Sequence, residues 1–233
     1  MSSLADTDFK DFRSFLLKKQ MASNDWLNSN LKKLRAFHGT ALSFAIWDHC
    51  LRTKAPNQTY FMKETRSDCI NSVFAVFTGS RKAANALLRG IIESILRHIY
   101  YVDHPIEFQV LMQDEEYMQF RELLQYARKH PILSKTIREG TCLQDLERTY
   151  KTSSKYVHAH SLKFMQLSKA LEEVEFNQRF FDWYVKKLVN VASNLNLLLI
   201  LIHHEEFSTM SRDFRRAIMR TISKKNKKIL SKT

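Results

Sequence analysis

The stretch "RKAANALLRGIIESILRHIYYVDHP", Arg81 to Pro105, decides the fold. Leu87, Leu88, Ile91, Ile92, Ile95, Leu96 and Ile99 recur at three- and four-residue spacing, the period of a helix face turned toward a core. Ser80 stands where an N-cap belongs, and Pro105 forbids continuation. Within this apolar run Arg89, Glu93 and Arg97 lie four residues apart, so on a helix they stack along one stripe. Charges embedded in so apolar a helix require partners. Two arrangements meet that demand: an Arg-Glu-Arg clamp in which Glu93 neutralises one or both arginines, or a site that leaves one guanidinium to hold a phosphate.

The flanking sequence extends the helical pattern in both directions. A first helix is predicted over Asp6 to Gln20, with Phe9, Phe12, Phe15 and Leu16 on one face. A longer second one, capped by Asn24 or Asp25, runs to the "KAPNQT" segment, and a third spans Tyr60 to Phe77. Residues 105–140 read as one modest helix, then Pro131 and a short piece ending at Gly140. From Cys142 a helix carries "LQDLERTYKTSSKYVHAHS", with an interruption near Ser153 and Ser154. A large helix covers Glu175 to Glu206, and a terminal one leads from Thr209 into a lysine-rich end. Only four glycines and three prolines serve the whole chain, too few for long loops. The expected architecture is all-α, a single-domain bundle of seven to nine helices over residues 1–222, with a basic tail at 223–233.

The formal charge is +13, and removing the five lysines of the tail still leaves +8, so the excess is spread over the body. A basic protein concentrates phosphate-bearing partners near itself. Three widely spaced cysteines form no disulfide framework and fit a reducing compartment. His49 and Cys50 lack a second close pair to complete a zinc site, so no metal and no cofactor is expected. His203, His204, Glu205 and Glu206 fan around a helix rather than converge, and helix-end solvation is their expected role. With four glycines no phosphate-cradling loop is possible, which excludes the common nucleotide hydrolase folds. The run Leu197 to Ile202 is far short of the roughly 20 apolar residues of a membrane span. The polar N-terminus has no apolar signal core, and a cytoplasmic location is expected.

Candidate chemistry concentrates in "YKTSSKYVHAHS", Tyr150 to Ser161. His158 follows Ser154 by four residues and shares its face, whereas His160 is turned about 200° from His158 unless the helix ends or bends there. Tyr150, Lys155 and Tyr156 surround His158 with the chemistry of a polar cleft.

The pairing of "LLRGIIESILRHIYY" with "Y…SSKYVHAHS" resembles a divergent branch of the HEPN superfamily, the all-helical ribonuclease, toxin and defence domains of prokaryotes, over Arg81 to Ser161. Active members carry an Arg four to six residues before a His; here Lys155 stands five positions before His160 in place of that Arg. The resemblance implies metal-independent RNA cleavage with His158, His160 and Lys155 as catalytic groups and Arg89 and Arg97 on the phosphate. Glu93, Ser154 and Tyr150 would be structural or modulating. It also implies RNA in preference to DNA as partner, a homodimer, a protein partner from the same operon and a role in antiviral defence. The alternative is a non-catalytic module of a defence or regulatory complex that binds nucleic acid or protein, with Arg89, Glu93 and Arg97 serving only the core.

Overall fold

The structure, a computed structural model, describes residues 4–52, 59–114, 118–137, 142–170 and 173–231. Among them the chain is all helix: α1 (Leu4–Lys18), α2 (Asn24–Ser29), α3 (Leu31–Arg52), α4 (Tyr60–Phe77), α5 (Arg81–Asp103), α6 (Pro105–Asp114), α7 (Phe120–Lys129), α8 (Pro131–Ile137), α9 (Cys142–Val157), α10 (Gln178–Ile202), α11 (His204–Thr209), α12 (Arg212–Thr221) and α13 (Lys224–Leu230). The all-α expectation holds, but thirteen helices replace the seven to nine expected.

The extra breaks have local causes. The expected long second helix divides at Asn30, whose side chain donates to Trp26 O at 3.0 Å and accepts from Gln178 at 3.2 Å, and the cap is Ser23 rather than Asn24 or Asp25. Residues 105–137 form three short helices. Pro105 and Pro131 each open one, where a missing N–H costs nothing, and Gln119 with Glu122 forms a capping box between them. The expected end at Gly140 lies outside the described residues. The helix expected to run to Glu206 stops at His203, and the interruption expected near Ser153 is absent because α9 is continuous to Val157.

Helix α5 lies at the centre, with α4, α7, α9 and α10 packed on it. Its buried face includes Leu88, Ile91, Ile92, Ile95 and Ile99. Against α4, a Cβ at Gly90 would lie 2.3 Å from Asp68 Oδ2, and Ser94 Oγ donates to Glu64 at 2.9 Å. The half-buried Asp68 has its pKa raised to about 7, first by loss of water and then by Glu64 nearby. The α3–α4 pair is held by buried Asp48, whose Oδ2 accepts from Arg52 and Arg66, each at 2.7 Å.

Among the described residues three helix ends close with the left-handed residue that lets a chain double back on its last turn. Gln20 (φ 54°), Gly79 (φ 76°) and Ala159 (φ 47°) occupy that position. Only the second is glycine. At Gly79 a Cβ would fall 1.9 Å from Glu175 O, so the strap between α9 and α10 (residues 158–170 and 173–177) sits directly on this turn. Gln166 from the same strap donates to Gly79 O and accepts from Arg81 N, both at 3.0 Å. It thereby does the capping that was expected of Ser80, whose side chain makes no cap bond.

Helix α10 is long and apolar enough, by length and composition alone, to cross a membrane, yet 72% of that window is buried inside the protein. It is the core helix of the second half. Asn196 on it accepts from Trp47 Nε1 and donates to Ser43 and Thr221, all at 2.9 Å, tying α3, α10 and α12 at one buried point. The expected basic tail forms a helix over Lys224–Leu230: Ser223 caps it, and buried Asn226 donates to Ser193 Oγ and Asn194 Oδ1 at 2.9 Å.

Candidate functional site

Helices α5 and α9 pack side by side, and the two motifs meet at one end of their contact. Tyr150, about two turns into α9, reaches α5. Its hydroxyl donates to Glu93 Oε1 at 2.7 Å and accepts from Arg89 Nη2 at 2.8 Å. The same guanidinium lies 4.8 Å from the centre of the Tyr150 ring, and its Nη1 is 3.2 Å from His158 Nε2. Phe120, at the start of α7, stacks on the other face of Tyr150 with ring centres 3.5 Å apart and planes 5° from parallel. Glu93, Tyr150, Arg89 and His158 therefore form one connected line from the helix interface to solvent.

Of the two arrangements read from the 89-93-97 stripe, a direct contact between Glu93 and Arg89 is not made; a relay through Tyr150 joins them. Among the described residues Glu93 accepts only from Tyr150, and the tyrosine hydroxyl stands between the carboxylate and Arg89. Arg89 uses two of its N–H groups on Tyr150 and His158; its buried Nε has no partner among the described residues. Burial and the hydrogen bond to Glu93 push the Tyr150 phenol up, with Arg89 pulling the other way. The hydroxyl therefore stays protonated and acts as a donor.

A guanidinium can only donate, so the hydrogen bond from Arg89 fixes His158 Nε2 as the acceptor and places the ring proton on Nδ1. His158 is exposed and sits at the C-cap of α9. The helix ends there because Ala159 turns left-handed: His160 N donates to Lys155 O at 3.0 Å and Ala159 N to Tyr156 O at 3.4 Å. His160 is carried past this turn, exposed, with no side-chain partner among the described residues.

The other candidates fall elsewhere. Lys155 is exposed and points at Phe164, its Nζ 5.9 Å from the ring centre. Arg97 is half-buried two turns beyond Arg89, where its charge bears on Tyr101. Ser154 spends its hydroxyl on Tyr150 O at 2.9 Å, a bond within its own helix. Phe120 was missed by sequence reasoning, and nothing in a single sequence marks a residue 30 positions away as the stacking partner of Tyr150.

A second imidazole cluster also escaped it. His203, expected to be solvated at a helix end, is 8% exposed and its Nε2 lies 2.8 Å from Nε2 of His98, itself 2% exposed. The break between α10 and α11 turns His203 inward, so the quartet reading assumed a continuity the chain does not have. Glu206 lies 3.7 Å from His203 Nδ1. No group of three or more ligating side chains has the geometry to hold a metal ion among the described residues.

No protein-family model matches the chain, and neither a curated protein nor a solved structure matches it.

Proposed function

We propose that the protein is a metal-independent, HEPN-like ribonuclease whose working centre is the Arg89–His158 pair. The observation that carries this reading is the 3.2 Å contact between a guanidinium and an exposed imidazole at a helix end. The cation that the one-helix Arg-to-His spacing would supply is absent from α9, and Arg89 of α5 supplies one from 69 residues away. An acid–base group beside a fixed cation is the minimum that phosphodiester transesterification asks of a protein.

In this mechanism a phosphate takes over the Arg89 Nη1 hydrogen bond from His158 while Nη2 stays on Tyr150, freeing the Nε2 lone pair. His158 Nε2 accepts the proton of a ribose 2′-hydroxyl as the 2′-oxygen bonds to phosphorus. The bond from phosphorus to the 5′-oxygen breaks, and that oxygen takes a proton from His160 or from water. The products are a 2′,3′-cyclic phosphate and a 5′-hydroxyl. Arg89 carries charge on the phosphoryl oxygens, where a planar fork binds two oxygens at once. Tyr150, held by Glu93 and Phe120, fixes the guanidinium in place. The test is RNA incubated with protein in excess chelator: cleavage to cyclic-phosphate ends is expected, with loss of at least about 100-fold in His158→Ala and Arg89→Ala. Cleavage that survives both changes would assign the chemistry elsewhere.

A further inference from the structure

Helices α12 and α13 present Arg212, Arg215, Arg216, Arg220 and four lysines, all exposed, against a single acid, Asp213. They rest on α3 and α10, away from the α5–α9 contact that holds Arg89 and His158. Their apolar sides are consumed by packing: Ile218 and Ile222 are buried, and none of the large exposed apolar side chains lies between 204 and 231. A membrane-binding helix needs a free apolar face, so this surface suits a hydrophilic polyanion rather than a bilayer. Arg212, Arg216 and Arg220 follow one another at four-residue steps, about 6 Å of rise each, on one face of α12. That step is comparable to the spacing of successive phosphates in an extended strand.

Beside the end of this row a pocket of about 510 Å³ opens between α1, α3, α10 and α12. Phe9, Leu42, Ala217 and Gly39 give it apolar walls, and Arg35 and Arg220 stand among its lining residues. Arg35 is partly neutralised by Asp6 at 2.9 Å, whereas Arg220 makes no ion pair among the described residues. Gly39 lies within the 22-residue α3, where glycine is the poorest helix former after proline. A Cβ built there meets nothing within 4 Å, so no neighbouring helix requires the glycine. Its absent side chain leaves the pocket floor open.

We propose that a single RNA strand docks on this face, with its phosphates on Arg212, Arg216 and Arg220 and one unstacked base in the pocket over Gly39. The proposal rests on the reading that the protein acts on RNA, and it assigns binding to a surface separate from the one assigned to cleavage. It is tested by fluorescence anisotropy with a labelled 2′-O-methyl oligoribonucleotide, which binds but cannot be cut, over a series of salt concentrations. Arg212→Gln, Arg216→Gln and Arg220→Gln together should weaken binding about 10- to 100-fold at low salt and reduce the slope of log affinity against log salt by about 2. Gly39→Leu should weaken binding several-fold with the slope unchanged, because it fills the base pocket without removing charge. Melting temperatures establish that both variants are folded. Wild-type affinity and slope in the triple variant overturn the proposal, as does binding to phosphatidylserine vesicles with none to RNA. If wild type cuts no RNA while the triple variant still loses binding, the docking face stands and the His158 mechanism alone falls.

Discussion

Replacing Tyr150 by Phe removes one oxygen from the centre of the relay and leaves everything around it in place. The ring keeps its stack on Phe120 and its contact with the Arg89 guanidinium, so the change isolates the hydroxyl. That hydroxyl makes two hydrogen bonds to charged groups, at 2.7 Å to Glu93 and 2.8 Å to Arg89. Such bonds contribute about 1.5–3 kcal/mol each when buried. Glu93, Tyr150 and Arg89 are all half-buried, and water rehydrates part of what is exposed, so the lower end applies and the pair together should cost about 2–3 kcal/mol. In a chain of this size that is a fall in melting temperature of about 4–12 °C. Thermal unfolding followed by circular dichroism reads it directly. Glu93→Gln, measured alone and with Tyr150→Phe, should show a coupling of about 1 kcal/mol, since both changes break the same bond. A direct Arg-Glu clamp gives the opposite pattern: Glu93→Gln costly, Tyr150→Phe within about 1 °C of wild type, and the two effects additive. That pattern would refute the relay.

Three further outcomes follow from the backbone and from Asp68. Ala159→Gly should stabilise the protein by about 0.5–1 kcal/mol, because an L-residue pays for the left-handed φ of 47° and glycine does not; an unchanged or lowered melting temperature argues against that turn. Gly79→Ala should destabilise by about 2–4 kcal/mol, since its Cβ would meet Glu175 O at 1.9 Å in a region already left-handed, and a chemical-denaturation midpoint equal to wild type would deny that contact. Asp68, raised from 3.8 to about 7, favours its protonated form in the folded state. The stability it contributes is therefore full below about pH 4 and lost as pH rises through about 7. Asp68→Asn should raise the melting temperature at pH 8 by about 2–4 °C, a screened effect of roughly 1 kcal/mol, and flatten its fall between pH 5 and 8. A variant that tracks wild type across that range speaks against burial of the carboxylate.

The elements that sequence reasoning located well are those with chemical punctuation. The boundaries of α4 and α5 fall where "TGS" and Pro105 place them, and the apolar face of α5 is the one its spacing describes. The short helices between 105 and 137 were blurred because their caps use Gln119 and Glu122, residues equally at home inside a helix. The end of α9 was invisible for a related reason: an alanine, not a glycine, takes the reversing conformation, so nothing announced that the helix stops beside His158. The Arg89–Tyr150–Glu93 connection needed the register of α9 against α5, a tertiary quantity that periodicity within either helix does not contain. The docking of α13 did leave a trace, since Asn226 is the one uncharged polar residue inside a run of lysines, and it is the residue that is buried.

The account depends most on what the Arg89–His158 pair does to RNA. The decisive measurement is end-group analysis of RNA treated with purified protein in excess chelator, wild type beside His158→Ala. The account predicts 2′,3′-cyclic phosphate and 5′-hydroxyl ends from wild type, and a loss of at least about 100-fold in the variant at unchanged melting temperature. No cleavage by wild type, or full cleavage by the variant, would contradict it.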